Sequence, residues 1–254
     1  MKSKTCVDSI RISLVLASFC CNTHVFAQQI SSEDAECGVM HRPDFMAPMD
    51  YRTDEKKLLK NVEFNHFAPN VENLTKPMFQ YFGSDISYTL HAFPNHPRAL
   101  LTLIRLGEKE HTEQPKGLPY SIDCFMRRAL RFRPDDAVVR MIYVKYMIQK
   151  GRIQEAGVQL DYVAMKADEG NPLTQLNVGL LFLEMKAYDK ANAQQQRLET
   201  MGFPEQELKR QLVAAGKLLP PSPAADAASA APGAASAVVP DNPASAASAA
   251  APLH

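Results

Sequence analysis

The sequence predicts an all-α protein: a short α-α superhelical repeat array with an irregular N-terminal arm and a disordered C-terminal tail. Apolar residues in the middle of the 254-residue chain recur at the helical spacing i, i+3, i+4 and i+7. This pattern returns with a constant offset, and the composition changes sharply near both ends. The boundaries are a signal peptide at 1–27, the arm at 28–83, the repeat domain with its cap helix at 84–219, and the tail at 220–254.

The segment Met1–Ala27 has the pattern of a secretory signal peptide. Basic residues precede an apolar run, and Val25-Phe26-Ala27 then presents compact side chains at the positions that signal peptidase recognises. The basic residues are Lys2, Lys4 and Arg11, and the run is Ile12–Cys21. We therefore expect export to the periplasm, with cleavage after Ala27.

Two alternatives to cleavage after Ala27 are an uncleaved anchor and a lipoprotein, since Cys20 and Cys21 end the apolar run. The apolar run is about half of the ~20 residues that span a bilayer, which argues against an anchor. Phe19 stands before Cys20, where lipoprotein processing needs a small residue. No later stretch is long and apolar enough to span a membrane, so we expect no transmembrane segment in the mature chain.

Export leaves two cysteines in the mature chain, Cys37 and Cys124. Two thiols in an oxidising compartment are candidates for a disulfide. A bridge between them would pin the arm to the repeat domain and contribute ~3–4 kcal/mol through the long loop that it closes. The sequence leaves open whether they are bonded or remain separate thiols.

The tail, Pro220–His254, consists mostly of Ala, Pro and Ser and has no aromatic residue, Lys or Arg. Recurrent prolines prevent a helix, and too little apolar surface is present to offset the entropy of ordering. We therefore expect a flexible tail. Without the signal peptide the chain carries 25 basic and 27 acidic residues, a balance that predicts no nucleic-acid partner.

The repeat is clearest where Met147–Ala156 aligns with Phe182–Ala191 at an offset of 35 residues. In both copies an amphipathic helix ends, a short turn follows, and a second helix begins. Matching helices lie upstream of each turn, at Ala137–Lys150 and Leu173–Lys186. A two-helix unit near 34 residues has the length of a tetratricopeptide repeat.

Specific segments resemble the tetratricopeptide family. Ala129–Asp136 is similar to the family's helix end followed by its Pro-Asp turn, and Asn177–Phe182 resembles its Asn-Leu-Gly-x-x-Tyr segment. Ala156 and Ala191 stand at the small position of the second helix. The resemblance covers about 85–219, although the chain lacks tryptophan. It implies paired helices that form a concave binding surface.

A further copy and a cap flank the two clear units. Tyr88–His96 aligns with Arg128–Asp136, and about six extra residues fall in Glu108–Leu118. Glu205–Leu219 has leucines on one face and charges on the other. We expect it to be the cap helix that closes an open solenoid.

The arm does not fit the repeat, but it has too many aromatic and methionine residues for a disordered segment. We expect it to be extended, to pack on the first repeat and to include one or two helical turns at Asp54–Val62. Cys37–Tyr51 together with Phe64–Pro69 resembles exported repeat proteins of proteobacteria. That resemblance names no activity.

The resemblance implies a partner-binding groove lined by the first helix of each unit. An extended peptide or amphipathic helix suits this mixed surface, with arginines binding a carboxylate or backbone carbonyls. The alternative is that the arm or the cap helix fills the groove. The predicted groove residues are Arg98, Leu101, Arg105, Met141, Lys145, Ile148, Gln149, Leu176, Leu180, Leu183 and Glu184.

No motif for hydrolysis, phosphate binding or haem attachment occurs, and no histidine or cysteine pair has metal-ligand spacing. We therefore predict a non-enzymatic periplasmic interaction module without catalytic residues, metal or cofactor, whose partner is a protein or peptide. Two alternatives stay open. One is a small-ligand or metal-binding envelope protein using His66, His91, His96 and Cys37; the other is a structural spacer.

Overall fold

A computed structural model describes residues 35–220, except for 43, 55, 167–170 and 205. The predicted signal peptide and the tail beyond Pro220 lie outside the described residues. The regular secondary structure of the described part is all helical, with no strand, which confirms the all-α fold class. After a helical turn at 35–37, its helices are α1 Lys56–His66, α2 Pro69–Glu72, α3 Phe82–Ala92, α4 Pro97–Glu110, α5 Ile122–Phe132, α6 Ala137–Gln149, α7 Ile153–Lys166, α8 Pro172–Glu184, α9 Tyr188–Thr200 and α10 Glu207–Ala214.

The chain divides into two compact units at Pro134/Asp135. Unit 1 contains the arm and α1–α5, and unit 2 contains α6–α10. The division falls at the Pro-Asp turn predicted within Ala129–Asp136, and the arm lies in the same unit as the first helices. In the part of the chain that is described, no helix has both the length and the apolar character that a membrane crossing requires.

Unit 2 contains two helical hairpins whose helices begin 35 residues apart, at Ala137 and Pro172 and again at Ile153 and Tyr188. Both first helices are capped in the same way. The Asp136 side chain accepts a hydrogen bond from the amide of Val139 at 3.1 Å, and Asn171 accepts one from Thr174 at 3.2 Å. These caps set equivalent starting points, so the period predicted from the sequence is present in the backbone.

Gly179 lets three helices of unit 2 approach one another closely. A Cβ atom at this position of α8 would lie 2.3 Å from Leu208 Cδ2 of α10 and 3.1 Å from Gln194 Cβ of α9. The absence of a side chain is therefore needed for the cap helix to pack against α8.

In unit 1 the arm is more helical than predicted. Helix α1 extends beyond Asp54–Val62 to His66, because tertiary contacts stabilise its last turn. There the His66 ring stacks on Tyr88 of α3 with centroids 3.7 Å apart. Buried Leu59 and Val62 pack with the end of α3 in an apolar cluster that the arm completes with Phe45, Met46, Met49 and Tyr51.

The start of the arm is held against α5 by a buried guanidinium and a disulfide. Arg128 Nη1 donates to the carbonyl oxygens of Cys37, Gly38 and Val39 at 2.8–2.9 Å. Cys37 and Cys124 are bonded to each other, with a sulfur–sulfur distance of 2.07 Å. Because three consecutive carbonyls accept from the Nη1 of this buried cation, the contact stabilises one path of the arm.

Asp50 anchors the next part of the arm. Its buried carboxylate accepts hydrogen bonds from Arg52, from Asn95 at 2.7 Å and from Arg133 at 2.5 Å. Burial acts to raise the pKa of this carboxyl, but the hydrogen bonds outweigh it and hold the pKa well below its usual range. One carboxylate thereby joins the arm to the α3–α4 turn and to the end of α5.

Replacement of Gly179 by alanine should lower the free energy of unfolding by about 1–3 kcal/mol, because the new methyl group overpacks α8 against α9 and α10. Gly157→Ala is the matched control. Its Cβ would meet only the flexible Met185 Cε at 3.4 Å, so we expect it to stabilise α7 by about 0.5–1 kcal/mol. Urea unfolding of both variants measures the difference, and equal effects would contradict close packing at Gly179.

Asp50→Asn should lower the free energy of unfolding by about 3 kcal/mol at neutral pH, because it leaves Arg52 and Arg133 without their shared anion. The folded-state pKa of Asp50 is depressed, so its contribution is complete above the unfolded pKa, about 3.9, and is lost as the pH falls through the folded value. The stability difference between wild type and Asp50→Asn should therefore shrink below about pH 4. Asp161→Asn, in an exposed pair with Lys190, should change stability by less than about 1 kcal/mol. A difference that stays constant down to pH 2 would contradict the anchoring role of Asp50.

Candidate functional site

The predicted groove residues of unit 1 lie on α4, and the arm already binds their polar groups. Arg98 pairs with Glu72 of α2, with a 2.9 Å distance between Nη1 and Oε2, and with Glu63 of α1. Arg105 donates to the Glu72 carbonyl oxygen and to Thr102 Oγ1, both at 2.8 Å. The two arginines expected to bind a partner therefore bind groups of the arm instead. This contact is the one expected if the arm, and not a partner, covers this part of the groove.

His96 connects this network to the start of α4. Its Nδ1 accepts from the Ala99 amide at 3.2 Å and caps the helix, while Nε2 lies 3.1 Å from Glu63 Oε1. Burial lowers the pKa of the His96 imidazole despite the raising effect of Glu63, so the ring is neutral and donates through Nε2. The hydrogen bond from His96, with Arg98 beside it, lowers the pKa of Glu63.

The other histidines of the metal alternative have separate partners. His91 Nδ1 lies 2.7 Å from the Ser87 carbonyl oxygen, and His66 Nδ1 lies 3.7 Å from Asp85 Oδ1. Burial lowers the pKa of both imidazoles. Among the described residues, one group has metal-ligand distances, namely Glu36, Cys37 and Cys124. Its two sulfurs are bonded to each other, so they offer no thiolate ligands in this state.

Unit 2 contains an open cleft of about 650 Å³ at which four predicted groove residues converge. Lys145 of α6 and Glu184 of α8 form an ion pair across it, with a 2.8 Å distance between Nζ and Oε2. Leu180 and Leu183 form an apolar surface beside the pair. The cleft is lined by Lys145, Leu180, Leu183, Glu184, Lys186, Tyr188, Gln211, Ala214 and Ala215.

The cap helix α10 forms a wall of this cleft. The sequence predicted that this segment closes the solenoid, but not that it contributes to a binding surface. Gln211 and Ala214 of α10 line the same cleft as the leucines of α8, and so does Tyr188 at the start of α9. The cap therefore narrows the predicted surface to a cleft but does not fill it. The leucine spacing of α10 predicted a cap; its position beside α8 depends on the packing of Leu208 at Gly179.

The assignment of two residues to the groove is wrong. Met141 and Leu176 have exposed fractions of 1% and 2%, so neither is available to a partner. The groove positions were taken from the tetratricopeptide pattern that the chain resembles, and this pattern does not show that both side chains pack into the core of this protein. Of the others, Ile148 and Leu101 are half-buried and Gln149 is exposed, and none of the three lines the cleft.

Lys186 is the unusual residue of the cleft. It turns the chain from α8 to α9 with a φ of 61°, a left-handed conformation that costs a side-chain-bearing residue about 1 kcal/mol. The equivalent position 35 residues earlier is Gly151, with a φ of 72°. A lysine thus stands where the preceding hairpin has glycine, and strain of this kind clusters at functional sites. The alignment of Met147–Ala156 with Phe182–Ala191 already pairs Gly151 with Lys186. The replacement of a turn glycine by lysine was therefore visible in the sequence.

Comparisons of the chain with protein-family models, with curated proteins and with solved structures found no match. The evidence for a function therefore comes from the cleft and from the residues that line it.

Lys186→Gly should raise the free energy of unfolding by about 0.5–1 kcal/mol, because glycine adopts the left-handed turn without a steric penalty. The reciprocal change, Gly151→Lys, should lower it by a similar amount. No atom lies within 4 Å of the position a Cβ would take there, so the cost is conformational. Thermal unfolding compares the two variants, and a stability loss in Lys186→Gly would show that the lysine side chain supports the fold itself.

Proposed function

We propose that the protein is a non-enzymatic, exported interaction module of the periplasm, and that it binds a short extended segment of a protein partner in the cleft of unit 2. The observation that carries this proposal is the open cleft at which Lys145, Leu180, Leu183 and Glu184 converge. These residues come from two helices that begin 35 residues apart in the chain. The family resemblance to tetratricopeptide repeats and the signal-peptide pattern supply the mode of binding and the compartment.

The dimensions and chemistry of the cleft favour a peptide segment. Its volume lies within the range of about 300–1,000 Å³ that is typical of ligand clefts. Apolar side chains of a partner would pack on Leu180 and Leu183, and the Lys145–Glu184 pair offers both a donor and an acceptor to its backbone. The open mouth suits a chain that passes through the cleft and continues on either side.

Unit 1 has a supporting part in this proposal. Its arm already binds the exposed guanidinium groups of α4, so the partner site is confined to unit 2. A site of this size contacts only a few residues of a partner, which predicts moderate affinity unless a second contact adds avidity.

A photo-crosslinking residue placed at position 183 tests the proposal in the native host. We expect a discrete adduct whose partner is identified by mass spectrometry, and we expect Leu180→Asp in the same protein to reduce the adduct at least tenfold. The physical reason is that a buried, unpaired carboxylate opposes docking of an apolar side chain.

The matched control places the crosslinker at position 158. Val158 is apolar and 68% exposed on α7, and it does not line the cleft. The proposal requires the adduct from position 183 and not from position 158. Equal adducts from both positions, or none from 183, would contradict a binding site in the cleft.

A further inference from the structure

The cleft carries one positive charge that its own acidic residue does not neutralise. Lys145 is paired with Glu184, while Lys186 at the strained turn has no ion-pair partner among the described residues. An occupant that fits both surfaces would place an apolar side chain on the leucines of α8 and a carboxylate a few residues away.

The chain beyond Pro220 contains one segment of that kind. Its bulky apolar residues are Val238, Val239 and Leu253, and its acidic side chains are Asp226 and Asp241. Val238-Val239-Pro240-Asp241 places two branched apolar residues next to a proline and a carboxylate. The proline favours an extended conformation of the residue that precedes it, as a cleft-bound strand requires. With no Lys or Arg, the segment beyond Pro220 is complementary in charge to Lys186.

We infer that Val238–Asp241 binds in the cleft of unit 2, with the valines on Leu180 and Leu183 and the Asp241 carboxylate at Lys186. The inference rests on the proposed function, because the segment would occupy the site proposed for the partner and compete with it. Lys186 then has a role that accounts for a lysine at a position where glycine is favoured: it recognises the acidic residue of the occupant.

The point at which the chain leaves unit 2 brings this segment within reach. Asn192 of α9 fixes the residues after α10, accepting from the Leu219 amide at 2.8 Å and donating to the Lys217 carbonyl oxygen at 2.9 Å. Lys217 Nζ lies 5.3 Å from the ring centroid of Tyr188, which lines the cleft. The chain therefore passes Pro220 close to one wall of the cleft.

The connection is long enough for such binding. Roughly 18 residues separate Pro220 from Val238, a length of chain that can span about 23 Å without being fully extended. A tethered segment at this separation has an effective concentration of about a millimolar. Even a weak segment would then occupy the cleft for much of the time, and a partner would bind several-fold more weakly than it does to a free cleft.

Methyl NMR of the purified protein tests the intramolecular contact. The Leu180 and Leu183 methyl resonances should shift when Val238→Asp and Val239→Asp are introduced together, because the valines then leave the cleft. Leu253→Asp is the control, a single change from an apolar to an acidic side chain farther along the same segment, and should leave these resonances in place. Identical spectra for wild type and the double variant would overturn the inference.

A titration in trans tests the recognition by Lys186. A synthetic peptide of residues 234–244 should bind the double variant, and Lys186→Gly in that protein should weaken binding at least fivefold while the fold remains intact. An unchanged affinity in Lys186→Gly, or no binding of the peptide, would overturn the inference. The crosslink from position 183 is independent of both readouts. If it forms while the peptide fails to bind, the partner site stands and only its occupation by the chain's own segment is excluded.

Discussion

The contact between the arm and α4 decides which surface of this protein is open. Glu63 and Glu72 reach across to Arg98, and the Glu72 carbonyl oxygen accepts from Arg105. Ion pairs of this exposure contribute little individually, but here they form a network with buried His96 at its base. Because Arg98 and Arg105 bind groups of the arm, the predicted groove residues that still line an open cleft are those of unit 2.

The arm can make this contact because its path is fixed at two earlier points. Arg128 binds three consecutive carbonyls near the disulfide, and Asp50 joins the arm to the α3–α4 turn and to the end of α5. These are buried charges that would be costly without partners, so they favour one arrangement over its alternatives. Histidines and cysteines that suggested a ligand site in the sequence act in this framework as caps, stacking partners and a cross-link.

The two hairpins of unit 2 repeat in backbone but differ in chemistry. Their helices begin 35 residues apart, and their first helices are capped by equivalent side chains. The turns differ, since Gly151 relaxes one and Lys186 strains the other. Lys186 makes its turn slightly less stable than a glycine would, and it places a charged side chain beside the apolar surface of Leu180 and Leu183. Proteins commonly retain residues that lower stability where those residues serve a function.

The sequence by itself determined the helical class and the 35-residue period, because these follow from local spacing. The resemblance to tetratricopeptide repeats, and not spacing alone, pointed to four of the residues that line the cleft. It could not determine that Met141 and Leu176 are buried, that Arg98 and Arg105 are bound by the arm, or that α10 forms a wall of the cleft. Those outcomes depend on contacts between residues far apart in the chain. Helical periodicity identifies the faces of a helix, but only tertiary packing decides which neighbour covers each face.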